Sequence, residues 1–192
     1  MAEGKPHHHG NLRAALVEAG VALVHRDGPD ALSIRKVAAA AGVSHAAPAH
    51  HFPSLLHLRT AIVAEGYRRF TASMETAIAE APNTPRDAAL GACLGYLRFA
   101  RANSGLFDMM FGTTDCIHDD PDLRETADAS YAVLARISAP FAGADPVDTE
   151  LAIWSMIHGF ASLAISGNGM HDAPDLEELF LRIFEALDLS AR

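Results

Sequence analysis

Apolar residues recur every three or four positions along almost the whole chain, and polar turns punctuate them. Leu12, Leu16, Ala19 and Leu23 make a stripe that predicts a first helix from about Asn11 to His25, ended by Asp27-Gly28-Pro29. Ser33 stands where a hydroxyl can cap a second helix, in which Ile34, Val37, Ala38 and Ala41 share one face. Gly42 offers the positive φ that stops it, and Val43 can plug the gap to the next element. Ser44 reads as a second N-cap, opening a third helix to His51. A long fourth helix is predicted from Pro53, suited to a first turn by its missing N–H, through Ile62, Tyr67, Phe70, Met74 and Ile78 to just before Pro82. At about 1.5 Å per residue it forms a rod near 40 Å long, followed by the linker Pro82-Asn83-Thr84-Pro85.

Further helices are predicted at Arg86 to Ala102, with Leu90, Leu94 and Leu97 on one face, and at Ser104 to Phe111. After a polar loop from Gly112 to Asp120 come helices at Pro121 to Phe141, Pro146 to Ser166 and Ala173 to Leu187. No strand-like alternation and no internal repeat interrupts the pattern, so the fold class is all-α. The helix from Pro146 carries two apolar stripes, which one water-facing helix does not need. One stripe is expected inside the subunit. The other (Ile153, Ile157, Phe160 and Ala164) is expected to meet a second copy, together with Leu176, Leu179, Phe180 and Ile183 of the last helix. A fully internal central helix is the alternative.

Ser33 to Phe52 has the plan of a helix-turn-helix, whose second helix enters the DNA major groove. A helical hairpin within a bundle has the same pattern. On the DNA reading Ser33, Arg35, Lys36 and Ser44 are backbone-contact candidates, because phosphate contacts fix register. His45 can hydrogen-bond to a base edge and Ala46 can touch a thymine methyl, while His50 approaches a phosphate. Phe52 is assigned to the core. Residues 1–60 then form the DNA-binding domain, and residues 61–192 an effector and dimerisation domain.

Charge refines this picture. The 192 residues carry a net charge of −9, but residues 1–60 hold six basic against four acidic side chains and eight of the eleven histidines. A weakly basic head on an acidic body suits a DNA reader with a separate effector domain. The chain has no membrane-spanning run and no apolar signal region, and its two cysteines, Cys93 and Cys116, define neither a disulfide framework nor a zinc spacing. Cytoplasmic location without membrane association is therefore expected. No metal or cofactor is expected either, since Cys116-x-His118 and His50-His51 supply no convergent ligand set. Nucleophile elbows and phosphate-cradling glycine loops are missing from the sequence, which argues against an enzyme.

The Gly42-Val43-Ser44 turn, the His51-Phe52 pair and Pro53-Ser54 ahead of a long helix resemble the TetR family of transcriptional regulators. The likeness reaches upstream to His8-His9-Gly10-Asn11-Leu12-Arg13. Downstream, Trp154-Ser155-Met156-Ile157-His158-Gly159 is similar to the signature of the subgroup with a WHG-type C-terminal domain. The resemblance implies a homodimeric, ligand-controlled repressor of double-stranded DNA. It adds His51 to the DNA-facing set, for structure or phosphate contact. It also places a small, mostly apolar effector inside the body, where Tyr96, Phe99, Phe107, Met110, Phe111, Tyr131, Trp154 and His158 are the lining candidates. Two departures stand out: Ala49 occupies a position where many members carry tyrosine, and Leu55 one where many carry lysine. Together these changes remove a hydrogen bond to phosphate and a positive charge, which predicts weak or salt-sensitive DNA binding. Pro48 falls late in the first turn of the third helix and predicts a short or irregular element. A regulator-like dimer that has lost DNA binding is the alternative function.

Overall fold

The computed structural model describes residues 12–112, 115–167, 175–187 and 189. Among these, every regular element is helical: α1 (Leu12–Asp27), α2 (Ile34–Ala40), α3 (Leu55–Glu80), α4 (Pro85–Ala102), α5 (Ser104–Phe111), α6 (Pro121–Ser138), α7 (Pro146–Ser166) and α8 (Leu176–Glu185). Short 3-10 turns cover Pro29–Ala31, Ala47–His50 and Ala139–Phe141. His8 to Asn11 and the expected helix start at Ala173 lie outside the described residues.

Local chemistry sets the helix ends. The Ser33 hydroxyl accepts from the Lys36 N–H at 3.2 Å and caps α2, as Thr84, Asp120, Asp145 and Asp175 cap α4, α6, α7 and α8. Gly42 takes φ 70° after α2, and the Val43 N–H returns to the Ala38 carbonyl at 3.0 Å. Pro53 lies outside α3, whose cap is Ser54; the pre-proline bias toward extended backbone keeps the chain non-helical there.

Around α3 the other elements are arranged. It crosses α4 at backbone distance: a Cβ built on Gly95 would stand 2.5 Å from the Ser73 carbonyl oxygen, and one on Gly91 2.8 Å from that of Ala77. The proline-containing turn before α4 therefore reverses the chain within one packed hairpin and separates nothing. On α4 it is Ala89, Ala92, Cys93, Tyr96 and Leu97 that are fully buried, while Leu90 and Leu94 are only partly covered. The N-terminal third of α3 (Leu58, Ala61, Ile62) closes the core of α1 and α2, and its remainder (Phe70, Met74, Ala77) packs into the body. One continuous core thus runs through both halves.

Candidate functional site

The helix-turn-helix segment is present, with a compact second half. Ala47–His50 forms a single 3-10 turn rather than a helix from Ser44. Ser44 makes no side-chain cap; its carbonyl receives the Ala47 N–H at 3.1 Å. Pro48 is the physical reason. It supplies no N–H, its side chain is fully buried, and its carbonyl takes both the His51 and Phe52 N–H groups, at 2.9 and 2.8 Å. Phe52 is 2% exposed and belongs to the core, with the Arg13 guanidinium 5.5 Å above its ring.

Arg35, Lys36, Ser44, His45, Ala46, His50 and His51 are all exposed, and Ser33 is half-buried by its cap. The segment therefore offers two cations, three imidazoles and the Ala46 methyl group to the outside, on a turn whose own core anchors are Val37, Pro48 and Phe52. Leu55, partly buried, packs against the core and adds no charge to this surface.

In the body, α3, α4, α6 and α7, with Phe111 of α5, line a half-open cavity of about 160 Å³. Of the eight expected lining residues, Tyr96, Phe111, Tyr131 and Trp154 border it. The other four do not, and their positions have clear causes. Phe99 lies against Phe70 with ring centroids 5.3 Å apart, and Met110 packs over Gly66. Phe107 stacks on His158 at 5.5 Å, and His158 Nδ1 is hydrogen-bonded to the Tyr96 hydroxyl at 2.7 Å. These four form a shell behind the wall. Sequence reading missed Tyr67, Phe70, Met74, Cys93 and Ser130 as lining residues. Tyr67, Phe70 and Met74 were legible only as the α3 core stripe, and the cavity is where that stripe stops short of α6.

The cavity is electrically neutral. Burial pushes the Cys93 thiol up to about 12 and also raises the Tyr96 phenol, against a lowering by the Trp154 indole hydrogen bond. Burial likewise raises the Tyr67 phenol and lowers the His158 imidazole, favouring its neutral form. At the α6–α7 edge Tyr131 donates to the Glu150 carboxylate and remains 48% exposed, beside the partly exposed Trp154. This aromatic pair forms the outer wall.

The residues expected at a subunit interface are divided by the fold. Ile153, Ile157, Phe160 and Phe180 are 5% exposed or less; Phe160 meets Phe180 within the subunit at 5.1 Å between centroids. They are core, because this stripe is the one α7 turns toward α4 and α6, with Phe160 reaching Phe180 of α8. Ala164, Leu176 and Leu179 are half-buried, and Ile183 is exposed. The outward apolar positions of α7 are instead Val147, Leu151, Trp154 and Leu163, with exposed Ser155 and half-buried Gly159 between the two leucines. Among the described residues no group of three or more His, Cys, Asp and Glu side chains is placed to hold a metal ion, and no helix is long and apolar enough to cross a membrane.

Comparison with known proteins agrees with this anatomy. Residues 16–62 match the family "Bacterial regulatory proteins, tetR family", and residues 89–187 match "Tetracyclin repressor-like, C-terminal domain". No curated protein matches the chain. Among solved structures, a protein of unknown function from Rhodococcus sp. RHA1 is 31% identical with TM-score 0.81, covering 95% of this chain and 96% of that one. The TetR family regulator PfmR from Thermus thermophilus shares the fold at 21% identity and TM-score 0.62, covering 90% of this chain and 93% of its own. FadR from Bacillus subtilis, solved in complex with stearoyl-CoA, does so at 16% identity and TM-score 0.68, covering 90% and 96%. The Ser33–Phe52 segment, the helical body and the matches along both halves lead to one conclusion: this chain belongs to the TetR family of transcriptional regulators.

Proposed function

We propose that this protein is a ligand-responsive, homodimeric repressor in the cytoplasm that binds a pseudo-palindromic operator, with residues 1–60 reading DNA and residues 61–192 holding effector and partner. The observation that carries the reading is the junction in α3: one helix anchors the helix-turn-helix through Leu58 and Ile62 and walls the body cavity through Phe70 and Met74. A change in the cavity wall therefore reaches the DNA-facing segment through a single rigid element. Arg35 and Lys36 supply phosphate contacts, and His45 and Ala46 meet base edges. His50 and His51 are placed for backbone contacts.

The subunit interface is redrawn from the fold. The outward face of α7 (Leu151, Ser155, Gly159, Leu163) and the adjoining Leu179 and Ile183 of α8 form a face that a second copy covers, giving a twofold four-helix contact. In such an arrangement two heads meet major grooves about 34–36 Å apart. FadR, a protein of this fold whose structure holds stearoyl-CoA, supports a body that accepts an apolar ligand.

Selection of bound duplexes from a random pool, using the full chain, tests the reading. A two-half-site consensus is expected, and its complex should contain two chains. Recovery of no preferred sequence would instead favour a ligand-binding dimer without DNA readout. The four-residue Ala47–His50 turn and the departures at Ala49 and Leu55 are the features that support that second reading.

A further inference from the structure

The two hydroxyls that α6 brings to the body cavity have their protons already committed, and this restricts what that side of the cavity can recognise. The Ser130 hydroxyl donates to the Ala127 carbonyl at 2.7 Å, and the Tyr131 hydroxyl donates to the Glu150 carboxylate. Neither acceptor can return a proton. The Tyr67 hydroxyl points at the Met110 carbonyl, with a longer separation of 3.5 Å. Tyr96 pairs with His158 Nδ1 at 2.7 Å, in a direction set by the imidazole tautomer. What α6 leaves open to a guest is therefore oxygen lone pairs.

Two further observations narrow the guest. No lining residue carries a charge at neutral pH, so a carboxylate or phosphate would be desolvated without a counter-ion. The volume of about 160 Å³ is close to that of an engineered apolar cavity of about 150 Å³ that takes benzene.

We infer that the effector is a neutral, single-ring phenol or similarly sized aromatic hydrogen-bond donor, seated between α3 and α6 with its hydroxyl donating to Ser130 Oγ. This deepens the reading of the cavity as an effector site and rests on it. The donor requirement follows from the committed protons, the neutrality from the absence of charged lining, and the single ring from the volume. Acceptor-only guests such as ethers and ketones would bring oxygen lone pairs against oxygen lone pairs. Their binding would lack the hydrogen bond that orients a phenol.

The chain contains one tryptophan, Trp154, and it lies in the cavity wall. Its fluorescence therefore reports occupancy of this site. The full-length protein is titrated with 4-methylphenol, 4-methylanisole, 4-methylbenzoate and stearoyl-CoA, with thermal unfolding followed in parallel. Saturable quenching and a raised melting temperature are expected for 4-methylphenol. The anisole should bind about tenfold more weakly, the scale of one net hydrogen bond, and the benzoate and stearoyl-CoA should give no saturation. Ser130→Ala should erase the preference of phenol over anisole, whereas Ala127→Leu, which fills the space, should weaken both.

Equal or tighter binding of the anisole or benzoate, or a response to stearoyl-CoA alone, would overturn the inference. A preference for phenol that Ser130→Ala leaves intact would also overturn it. Release of a selected operator by the same compounds is scored separately. Phenol binding without release upholds the ligand class and counts against the regulatory reading, and release by another class of compound does the reverse.

Discussion

The guanidinium of Arg13 stands 3.9 Å from the carboxylate of Asp122, joining the first turn of α1 to the first turn of α6. Asp122 also receives Arg68 from the middle of α3, and Arg13 covers the ring of Phe52, the residue that closes the helix-turn-helix. A carboxylate on a cavity-lining helix thus touches both elements that hold the DNA-facing segment. These pairs are exposed, and each contributes only about 0–1 kcal/mol to stability. Their role is to set the relative position of head and body.

Asp122→Asn should accordingly leave thermal stability within about 1 kcal/mol of the parent while weakening communication between the sites. In a mobility-shift titration, DNA affinity without ligand should change little, and the ligand concentration needed for release should rise. An unchanged ligand response would show that α3 alone carries the signal.

His45 and His51 sit at the two ends of the exposed segment and should behave differently. His45→Ala is expected to weaken a selected operator by about 1–3 kcal/mol, the scale of a base contact, with little effect on random duplex. His51→Ala should weaken both equally, as a backbone contact does. Equal losses on both duplexes for His45→Ala would remove it from base readout.

The α2 cap gives a prediction on local stability. Ser33→Ala removes the acceptor for the Lys36 N–H and should cost about 1 kcal/mol, read by chemical denaturation. Ser33→Asp should retain the cap. DNA affinity should fall in both variants, because Ser33→Ala loosens the helix that carries Arg35 and Lys36 and Ser33→Asp sets a carboxylate beside the DNA phosphates.

Features written in neighbouring residues were legible before the fold was known. Ser33, Gly42 and Val43 specify a cap, a stop and a plug within a few positions, and the bounds of α5 and α7 follow from Ser104, Gly112, Pro146 and Gly167 in the same way. Features that depend on which neighbour a helix meets were not. On α7 both the Ile153 stripe and the face of Leu151 and Leu163 carry large apolar residues, so only packing against α4 and α6 reveals which one faces inward. The cavity posed the same difficulty. Tyr67, Phe70 and Met74 repeat at core spacing, and nothing local marks the place where α6 fails to fill the gap. Ser44 misled for a third reason: the fully buried Pro48 overrides its capping preference.

The half-buried imidazole of His158 predicts a dependence on pH. Burial lowers the pKa of His158, so the folded state prefers the neutral ring that the Tyr96 hydroxyl contacts at 2.7 Å. As pH falls below about 6.5, the unfolded chain takes up this proton before the folded one does. The stabilisation is complete above that pH and is lost between it and the lower folded value. Melting temperatures from about pH 7.5 to about pH 5.5 should therefore fall more steeply for the parent than for His158→Gln. Parallel slopes would place His158 in a freely titrating environment.

Two helical glycines should respond in opposite ways to the same substitution. At Gly95 an added Cβ would stand 2.5 Å from the Ser73 carbonyl oxygen and 2.7 Å from the Met74 Cα. Backbone cannot swing aside, so Gly95→Ala must push α3 from α4, at a cost of about 1–3 kcal/mol that exceeds the gain of about 1 kcal/mol in helix propensity. At Gly159 a Cβ meets nothing within 4 Å in the subunit, so the propensity gain of about 1 kcal/mol stands unopposed in the isolated chain. In the proposed dimer, Gly159 is the position that would let the second chain approach α7 closely. Gly159→Leu should therefore leave the monomer folded while shifting sedimentation toward single chains at micromolar concentration. Dimers of undiminished affinity would move the contact away from this face of α7.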